Sequence, residues 1–403
     1  NRTLAQMAAK PPPAVKTHEF WGTQPVPQEG AELKEEGPIE SKVLADVRQD
    51  PYPLATPLEW CSPNIEDPAQ LTEVYELLRD NYVEDDDSLF RFNYSKEFLA
   101  WAMTPPGYFR DWMVGVRRKA DSKLLGFISG VPCNIKMGNI SQRICEINFL
   151  CVHKVLRNKR LAPILIKEVT RRVNKQNIWQ AVYTAGVELP KPFATCQYFH
   201  RSLNPQKLVE INFSKIGHQF ERFSKPLDAM KRNYALPARQ LPRLRPMTRE
   251  DTEGVTKLLQ AHWQTYRVAP AFDVEEAGHW LLPRERVVYS FVIADAVTQE
   301  ITDFVSFYAL SSTVIGNTKH SELNAAYGYY YAATKVPLTA LITEALIIAK
   351  EKGFDVFNVL TLMQNQAFLK ELKFGQGDGF LRFYFYNWNF SALKPEELGL
   401  VML

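Results

Sequence analysis

The sequence predicts an α/β chain, mixed α+β in character, built as two tandem halves with pseudo-two-fold symmetry around a mixed central sheet. Three observations lead there. An order of helix, helix, hairpin, strand, helix, strand runs twice along the chain. Each run carries an amphipathic helix that must lie on a sheet to bury its apolar stripe. A length of 403 residues also exceeds what one hydrophobic core ordinarily serves, so two are expected.

From the N-terminus, residues 1–16, with Pro11-Pro12-Pro13, read as a flexible arm. Residues 28–50 are polar and acidic and should wrap over the surface. The chain starts without an initiator Met, and a longer N-terminal region is expected ahead of Asn1. The expected division is an arm over 1–50, a first half over 51–225 and a second half over 226–403. In the first half, Pro63-Asn64-Ile65-Glu66-Asp67 precedes a helical run ending at Leu77-Leu78. In the second, Pro246-Met247-Thr248-Arg249-Glu250-Asp251 precedes one ending at Leu258-Leu259. A short helix with a tryptophan follows each, Trp101 or Trp280. Hairpins are then expected from Trp112–Arg117 with Leu124–Gly130, and from Val287–Ala294 with Ile301–Ala309. The closing helices are expected near Ala162–Lys175 and Leu338–Lys352. In the first, Leu161, Leu165, Val169 and Val173 recur every fourth position and should face the core.

Hydrophobic residues make up 46% of the chain and charged residues 23%, with a net charge of +3. That balance is of a soluble globular protein and is too mild to imply nucleic acid. The charge is uneven, however: residues 153–175 hold eight Lys/Arg against one acid, Glu168, while Glu84-Asp85-Asp86-Asp87 is wholly acidic. Opposite patches suggest one phosphate-bearing and one cationic ligand. The basic patch lacks the interleaved aromatics that stacking on bases requires. Five cysteines without paired spacing suit a reducing compartment, and with neither CxxC nor HxxxH no metal site is expected. The longest uncharged runs, such as Phe304–Thr318, hold too much Ser, Thr and Asn to span a bilayer.

The most telling segment is Glu146-Ile147-Asn148-Phe149-Leu150-Cys151-Val152-His153-Lys154. An apolar run breaks abruptly, and Lys154, Arg157, Lys159 and Arg160 arrive within seven positions, followed by Ala162-Pro163 and the amphipathic helix. A strand ending beside a cationic helix start can turn peptide N–H groups toward a carbonyl and hold phosphates at the helix N-terminus. That is equipment for an acyl-coenzyme A thioester. Pro163 suits a first helical turn, where its missing N–H costs nothing. Periodicity alone also reads 147–152 as a plain buried strand, and Phe20-Trp21 as core plugs. Gly375, Gly377 and Gly379 have the wrong spacing for a nucleotide loop. They follow an expected helix, Asn365–Leu372, and read as a tight turn.

The nine residues 146–154 resemble the first signature of the eukaryotic glycylpeptide N-tetradecanoyltransferases, the N-myristoyltransferases. Lys373-Phe374-Gly375-Gln376-Gly377-Asp378-Gly379 resembles their second, KFGxGDG, and the similarity runs from about Glu19 to Leu403. The resemblance implies an acetyltransferase-like (GNAT) plan for each half. The superfamily's pyrophosphate loop, Q/R-x-x-G-x-G/A, here reads Arg157-Asn158-Lys159-Arg160-Leu161-Ala162. Arg160 stands where Gly is expected, as in the myristoyltransferase version. The second half shows no such cationic loop, so only the first should bind the nucleotide carrier.

By the same resemblance, the backbone N–H groups of Phe149 and Leu150 form an oxyanion hole. Myristoyl-CoA, the acyl donor, meets Phe149, Leu150, Cys151, Val152 and the six residues Arg157, Asn158, Lys159, Arg160, Leu161 and Ala162. Glu19-Phe20-Trp21 packs on it, with Glu19 where Gln is expected; an acid so near phosphates should point its side chain away or make contact through its backbone. Asn148 and Thr184 steer the attacking amine. The base is the chain's own terminal carboxylate on Leu403, desolvated by the apolar tail Gly399-Leu400-Val401-Met402-Leu403. An α-amine with a pKa of about 7.7–8.0 needs only a modest base.

The implied acceptor is a protein beginning with Gly, in the pattern Gly-x-x-x-Ser/Thr with Lys following. It would lie against Tyr82, Val83, Asp85, Asp87, Phe90, Phe92, Tyr94, Gly186, Tyr198, His200, Phe213, Ser312, Tyr327, Asn365, Asp378 and Met402, with Asp85, Asp87 and Asp378 facing a basic side chain. Coenzyme A is the other product, and no metal takes part. The resemblance further implies a monomer that stays soluble, with any ribosome or membrane-surface association carried by the region ahead of Asn1. Two rivals stay open at this point: a transferase using a shorter acyl-CoA, and a non-catalytic acyl-CoA or lipopeptide-binding module.

Overall fold

The computed structural model describes residues 19–28, 30, 35–83 and 88–403; the expected arm over 1–16 and the acidic run 84–87 lie outside them. Fourteen strands among the described residues join one mixed sheet. In chain order they are β1 (Leu58–Cys61), β2 (Phe90–Asn93), β3 (Met113–Arg118), β4 (Leu124–Met137), β5 (Ile140–Val152), β6 (Ala181–Ala185), β7 (Ala194–Ser202), β8 (Arg245–Pro246), β9 (Val268–Pro270), β10 (Val288–Ala294), β11 (Ile301–Val314), β12 (Glu322–Ala333), β13 (Val356–Leu360) and β14 (Gly375–Tyr386).

The expected helices appear in order, with three further short ones over residues 205–233. They are α1 (Pro68–Asn81), α2 (Lys96–Met103), α3 (Leu161–Asn174), α4 (Pro205–Glu210), α5 (His218–Glu221), α6 (Pro226–Asn233), α7 (Thr252–Trp263), α8 (Val274–Leu281), α9 (Leu338–Glu351) and α10 (Gln366–Leu369). Their starts are chemically marked. Asp67 caps α1 by accepting from the N–H groups of Ala69 and Gln70, with Pro68 in the first turn. Ser95 caps α2. Asp273 and Glu276 form a reciprocal capping box on α8. Leu161, Leu165, Val169 and Val173 of α3 are all buried, against Trp112, Val114, Val116 and Ile128 of the first half.

The two halves repeat one pairing scheme. β3-β4-β5 is antiparallel and β5 then pairs β6 in parallel across the α3 crossover. β10-β11-β12 is likewise antiparallel, and β12 pairs β13 in parallel across α9. Beyond this the halves exchange strands. β7 leaves the first half to pair with β13, while β14 returns from the second half to pair with β6, and β7 and β14 pair with each other. The sheet is therefore continuous through the middle, and a single large core cluster reaches from Ile65 to Met402.

Two expectations near the second signature need correcting. The helix expected over Asn365–Leu372 spans only Gln366–Leu369. Gly375, Gly377 and Gly379 do not make a tight turn; they open β14. Gly375 and Gln376 pair with His200 and Phe199, the register slips, and pairing resumes at Phe380 opposite Gln197. A Cβ on Gly377 would lie 2.3 Å from His200 Nε2 and 3.0 Å from the Tyr198 carbonyl. The glycine there permits close approach of two strands at a bulge.

Candidate active site

The parallel pairing of β5 with β6 is short, covering only Cys145↔Ala181 and Glu146↔Val182. Past that point β6 continues against β14 through Ala185, while β5 stays with β4. The two strands diverge into a wedge, with Asn148 and Phe149 on one wall and Thr184 on the other. β5 is also bulged here. Phe127 opposes Cys151 but Ser129 opposes Asn148, so β5 has one residue too many. The extra length is taken up at Phe149, whose φ is +54°, a left-handed value unusual for a bulky residue. The ring it carries is buried beside Tyr82 and Tyr94.

The C-terminal segment reaches this wedge. Leu398 bridges to Val268, and Gly399 N–H donates to the Val268 carbonyl at 2.7 Å. Tyr330 clamps Val401 twice: its hydroxyl accepts from Val401 N–H at 3.1 Å and donates to the Val401 carbonyl at 3.3 Å. Leu398, Leu400, Val401 and Met402 are buried. Asn148 Nδ2 then donates to a terminal oxygen of Leu403 at 2.6 Å. Asn148 Oδ1 accepts from the Phe149 N–H at 2.9 Å. The N–H expected to face a carbonyl thus has an internal acceptor, as a polar group in an apolar bulge requires.

Next to the wedge is the cationic loop. Lys154–Lys159 forms a 3₁₀ turn, and Arg160 (φ +56°) leads into α3 with no side-chain cap on the helix start. Arg160 thus adopts a left-handed backbone shape that glycine takes more readily. Asn81, at the end of α1, holds the loop. Its Oδ1 accepts from Lys154 N–H at 3.0 Å and its carbonyl accepts from Arg157 at 2.7 Å. Nothing in the sequence singled Asn81 out. Its signal is position alone: a polar residue on the buried face of a helix end.

The matching loop of the second half, between β12 and α9, is different. The N–H groups of Thr334, Lys335 and Val336 all donate to Asp303 Oδ1, at 2.8, 3.0 and 3.2 Å. That nest is filled by the protein's own carboxylate. The absence of a cationic loop there, read from sequence, has this structural counterpart.

Glu19 departs from expectation. Its carboxylate turns toward the cationic loop and pairs with Arg160 at 3.2 Å, both side chains being 84% exposed. The reason is local charge: Arg160 projects into solvent within reach of the carboxylate. Trp21 stacks on Tyr183 at 5.5 Å, and Tyr183 on Tyr384 at 5.1 Å. Phe20 and Trp21 are half-buried, not core plugs.

Several residues expected to meet a peptide converge beyond the wedge. Tyr82, Phe92 and Tyr94 share ring contacts. Tyr198 stacks on His200, His200 meets Phe213 edge-on, and Phe213 meets Phe90. Tyr327 stacks on Tyr308 at 5.2 Å. Phe92 is paired with Ser312, and Phe92 N–H donates to the Val83 carbonyl at 3.1 Å. Asp85 and Asp87 themselves fall outside the described residues, whereas Asp378 is exposed near the His200 ring. His200 Nδ1–H donates to Asn358 Oδ1 at 2.7 Å, and burial lowers its pKa and keeps the ring neutral. Asn365 is less available. Its Oδ1 accepts from Tyr331 and its Nδ2 donates to the Leu360 carbonyl. Tyr308 and Asn358 were missed by sequence reasoning; each lies in an apolar strand pattern that gives no hint of a site.

Among the described residues no group of His, Cys, Asp and Glu is placed to hold a metal, and no helix is long and apolar enough to cross a membrane. Residues 38–196 match the family described as myristoyl-CoA:protein N-myristoyltransferase, N-terminal domain, and residues 210–401 match its C-terminal domain.

The chain belongs to this family.

Among its relatives, glycylpeptide N-tetradecanoyltransferase 1 of Arabidopsis thaliana is 52% identical over 96% of this chain and 90% of its own length. The Dictyostelium discoideum glycylpeptide N-tetradecanoyltransferase is 48% identical over 99% and 95%. The crystal structure of Saccharomyces cerevisiae N-myristoyltransferase with bound myristoyl-CoA superposes with a TM-score of 0.91. It has 40% sequence identity, and the match covers 97% of this chain and 100% of that one. As a member of the N-myristoyltransferase family the chain is an acyltransferase whose relatives are named for acting on glycyl peptides.

Proposed function

We propose that the protein moves a myristoyl group from myristoyl-CoA to the α-amine of an N-terminal glycine. The amine attacks the thioester directly, with the Leu403 carboxylate as base and the bulged backbone at Phe149 and Leu150 as oxyanion hole. The observation that carries this reading is the convergence at Asn148, which bonds at once to the terminal oxygen of Leu403 and to the Phe149 N–H. A base and an oxyanion donor linked through one amide are what acyl transfer to an amine needs. When a thioester carbonyl enters, its oxygen takes the Phe149 N–H in place of Asn148 Oδ1.

The first half binds the donor. The support is the uncapped start of α3 behind the Arg157–Ala162 loop, set against the occupied nest at Asp303 in the second half. Burying a saturated tail gains about 0.8 kcal/mol per CH₂, so pocket length selects the acyl chain. The acceptor lies over the aromatic group of Tyr82, Tyr94, Tyr198 and Tyr327, with Asp378, and with Asp85 and Asp87 of the acidic loop, drawing in its basic side chain. Glycine is required because any side chain on the first residue would crowd the reacting carbon. The protein acts as a cytoplasmic monomer on Gly-x-x-x-Ser/Thr sequences with Lys following.

The deciding experiment incubates a Gly-starting peptide with myristoyl-CoA and reads the mass shift, with an Ala-starting peptide as control. Acylation of the first peptide alone is expected. Preference for acetyl-CoA over myristoyl-CoA would point instead to a short-chain transferase, and binding without turnover to a non-catalytic module.

A further inference from the structure

Glu146 stands two residues before Asn148 on β5, so both side chains leave the same face of the strand. It lines a void of about 20 Å³ together with Cys133, Asn134, Tyr329, Tyr330 and Leu403. That is room for about one water molecule. Among the described residues no side-chain or backbone donor pairs with the Glu146 carboxyl. The one side-chain amide lining the void, Asn134, already donates to both oxygens of Glu276, at 2.9 and 3.0 Å, and the Asn148 amide is spent on Leu403. Tyr330's hydroxyl is engaged with Val401. Glu146 is partly buried, and a carboxyl that lines a void without a protein partner can be met by water there.

The groups facing it from the surrounding elements are few. β4 offers the Cys133 thiol, which burial pushes well up; β12 offers the Tyr329 and Tyr330 phenols, also raised by burial. α8 contributes Glu276, raised as well, and the chain end contributes the Leu403 carboxylate. Arg143 is exposed on β5 and acts on Cys133 and Glu276. Burial alone, with no cation to offset it, pushes Glu146 up to about 7.

We propose that Glu146 is a positioning residue for the acyl transfer: through water in this void it takes over the proton that the Leu403 carboxylate removes from the glycine amine. The inference rests on the reading of Leu403 as base. The balance is as follows. The glycine ammonium gives one proton to Leu403, and the amine forms the new C–N bond. Collapse of the tetrahedral adduct breaks the C–S bond, and the second N–H proton leaves with the sulfur as the thiol. Ammonium plus thioester thus becomes amide, thiol and one surplus proton. Glu146 holds that surplus until products leave, which returns Leu403 to its basic form within the same turnover.

The test measures the single-turnover rate of acylation of a Gly-starting peptide by myristoyl-CoA across the pH range from about 5.5 to 8.5. The proteins are the wild type, Glu146→Gln, Glu146→Asp and a variant with one residue appended after Leu403. In the wild type the rate should climb with an apparent midpoint near 7. Glu146→Gln should lose that limb and fall about 100-fold at its plateau, with myristoyl-CoA affinity unchanged. Glu146→Asp should keep a titrating limb and outrun the Gln variant. A merely structural role reverses that order, since Gln preserves shape and Asp does not, and scales the rate equally at every pH; either result overturns the proposal. Should the variants fail to bind myristoyl-CoA, infrared difference spectra of the wild type decide. Absence of a carboxylic acid titrating near 7 sinks the idea. If the appended variant keeps the wild-type rate, the base reading itself fails. If it is dead while Glu146→Gln is unaffected, only the role of Glu146 falls.

Discussion

Asn148 joins the chain's last residue to its bulge: Nδ2 reaches a terminal oxygen of Leu403 at 2.6 Å while Oδ1 holds the Phe149 N–H at 2.9 Å. The two partners are 255 and 1 residues away in sequence, so one amide ties a long-range contact of the fold to a purely local one. Replacing Asn148 by Leu removes both bonds and keeps the volume. The single-turnover rate should fall by roughly 10²–10³, within the scale of losing a positioned general base, with myristoyl-CoA affinity held within about twofold, since the phosphate loop is untouched. An equal loss in affinity and rate would show that Asn148 merely supports the fold. Asn148→Asp should be slower still near neutral pH, because it sets a second carboxylate against Leu403.

Asn81 makes a second prediction. It is 7% exposed and holds Lys154 N–H and Arg157 at the mouth of the cationic loop. Asn81→Ala leaves the Lys154 N–H without its partner and frees Arg157, at a cost of about 1–3 kcal/mol. Equilibrium binding should show a weaker Kd for myristoyl-CoA and little change in KM for the peptide. A variant weakened only toward peptide would contradict the assignment of this loop.

Legibility from sequence was uneven for physical reasons. Repeating elements were readable because periodicity is a property of each segment alone: α3, α9 and both hairpins fall where their apolar spacing puts them. The exchange of β7 and β14 between halves was not readable, because which strand lies beside which is decided by long-range fit. The Gly375–Gly379 stretch misled for a related reason. Glycine spacing looks alike in a turn and in a bulged strand, and only the His200 ring across the ladder explains Gly377. Of the candidate site, the strand-to-helix junction was visible as an abrupt polarity change at Val152–Lys154. Asn81, Asn358 and Tyr308 were silent, since each meets its partner from another element; Glu146 heads the telling segment, yet nothing in the sequence set it apart from its neighbours.

Gly377 gives a third prediction. A Cβ there would meet both the His200 ring and the Tyr198 backbone, and the latter cannot move aside as a flexible side chain would. Gly377→Ala should therefore push β14 from β7 at the edge of the aromatic group, with a penalty of about 1–3 kcal/mol. The peptide KM should rise about tenfold or more on that scale while myristoyl-CoA affinity stays. Unchanged kinetics would place the peptide elsewhere.

His279 and Trp101 supply the last prediction. Trp101 Nε1 donates to the His279 carbonyl at 3.0 Å, and His279 Nε2–H donates to the Trp101 carbonyl at 2.8 Å, a reciprocal pair that joins α2 of the first half to α8 of the second. Burial, the largest influence, lowers the His279 pKa from 6.5 to about 4. The folded protein therefore resists a proton that the unfolded chain accepts, and stability from this group is complete above pH 6.5 and lost as pH falls from 6.5 toward 4. The loss should reach roughly 3 kcal/mol. Glu146 and Glu276 work in the opposite sense, because burial raises both and protonation relieves them, so the total acid sensitivity does not isolate His279. The difference does: Glu146 and Glu276 are common to the wild type and His279→Gln, whose amide still donates to the Trp101 carbonyl. Urea unfolding of the two proteins at about pH 7 and again near pH 4.5 should show the wild type losing about 2 kcal/mol more than the variant. Parallel losses would mean that His279 accepts its proton without disturbing the joint between the halves.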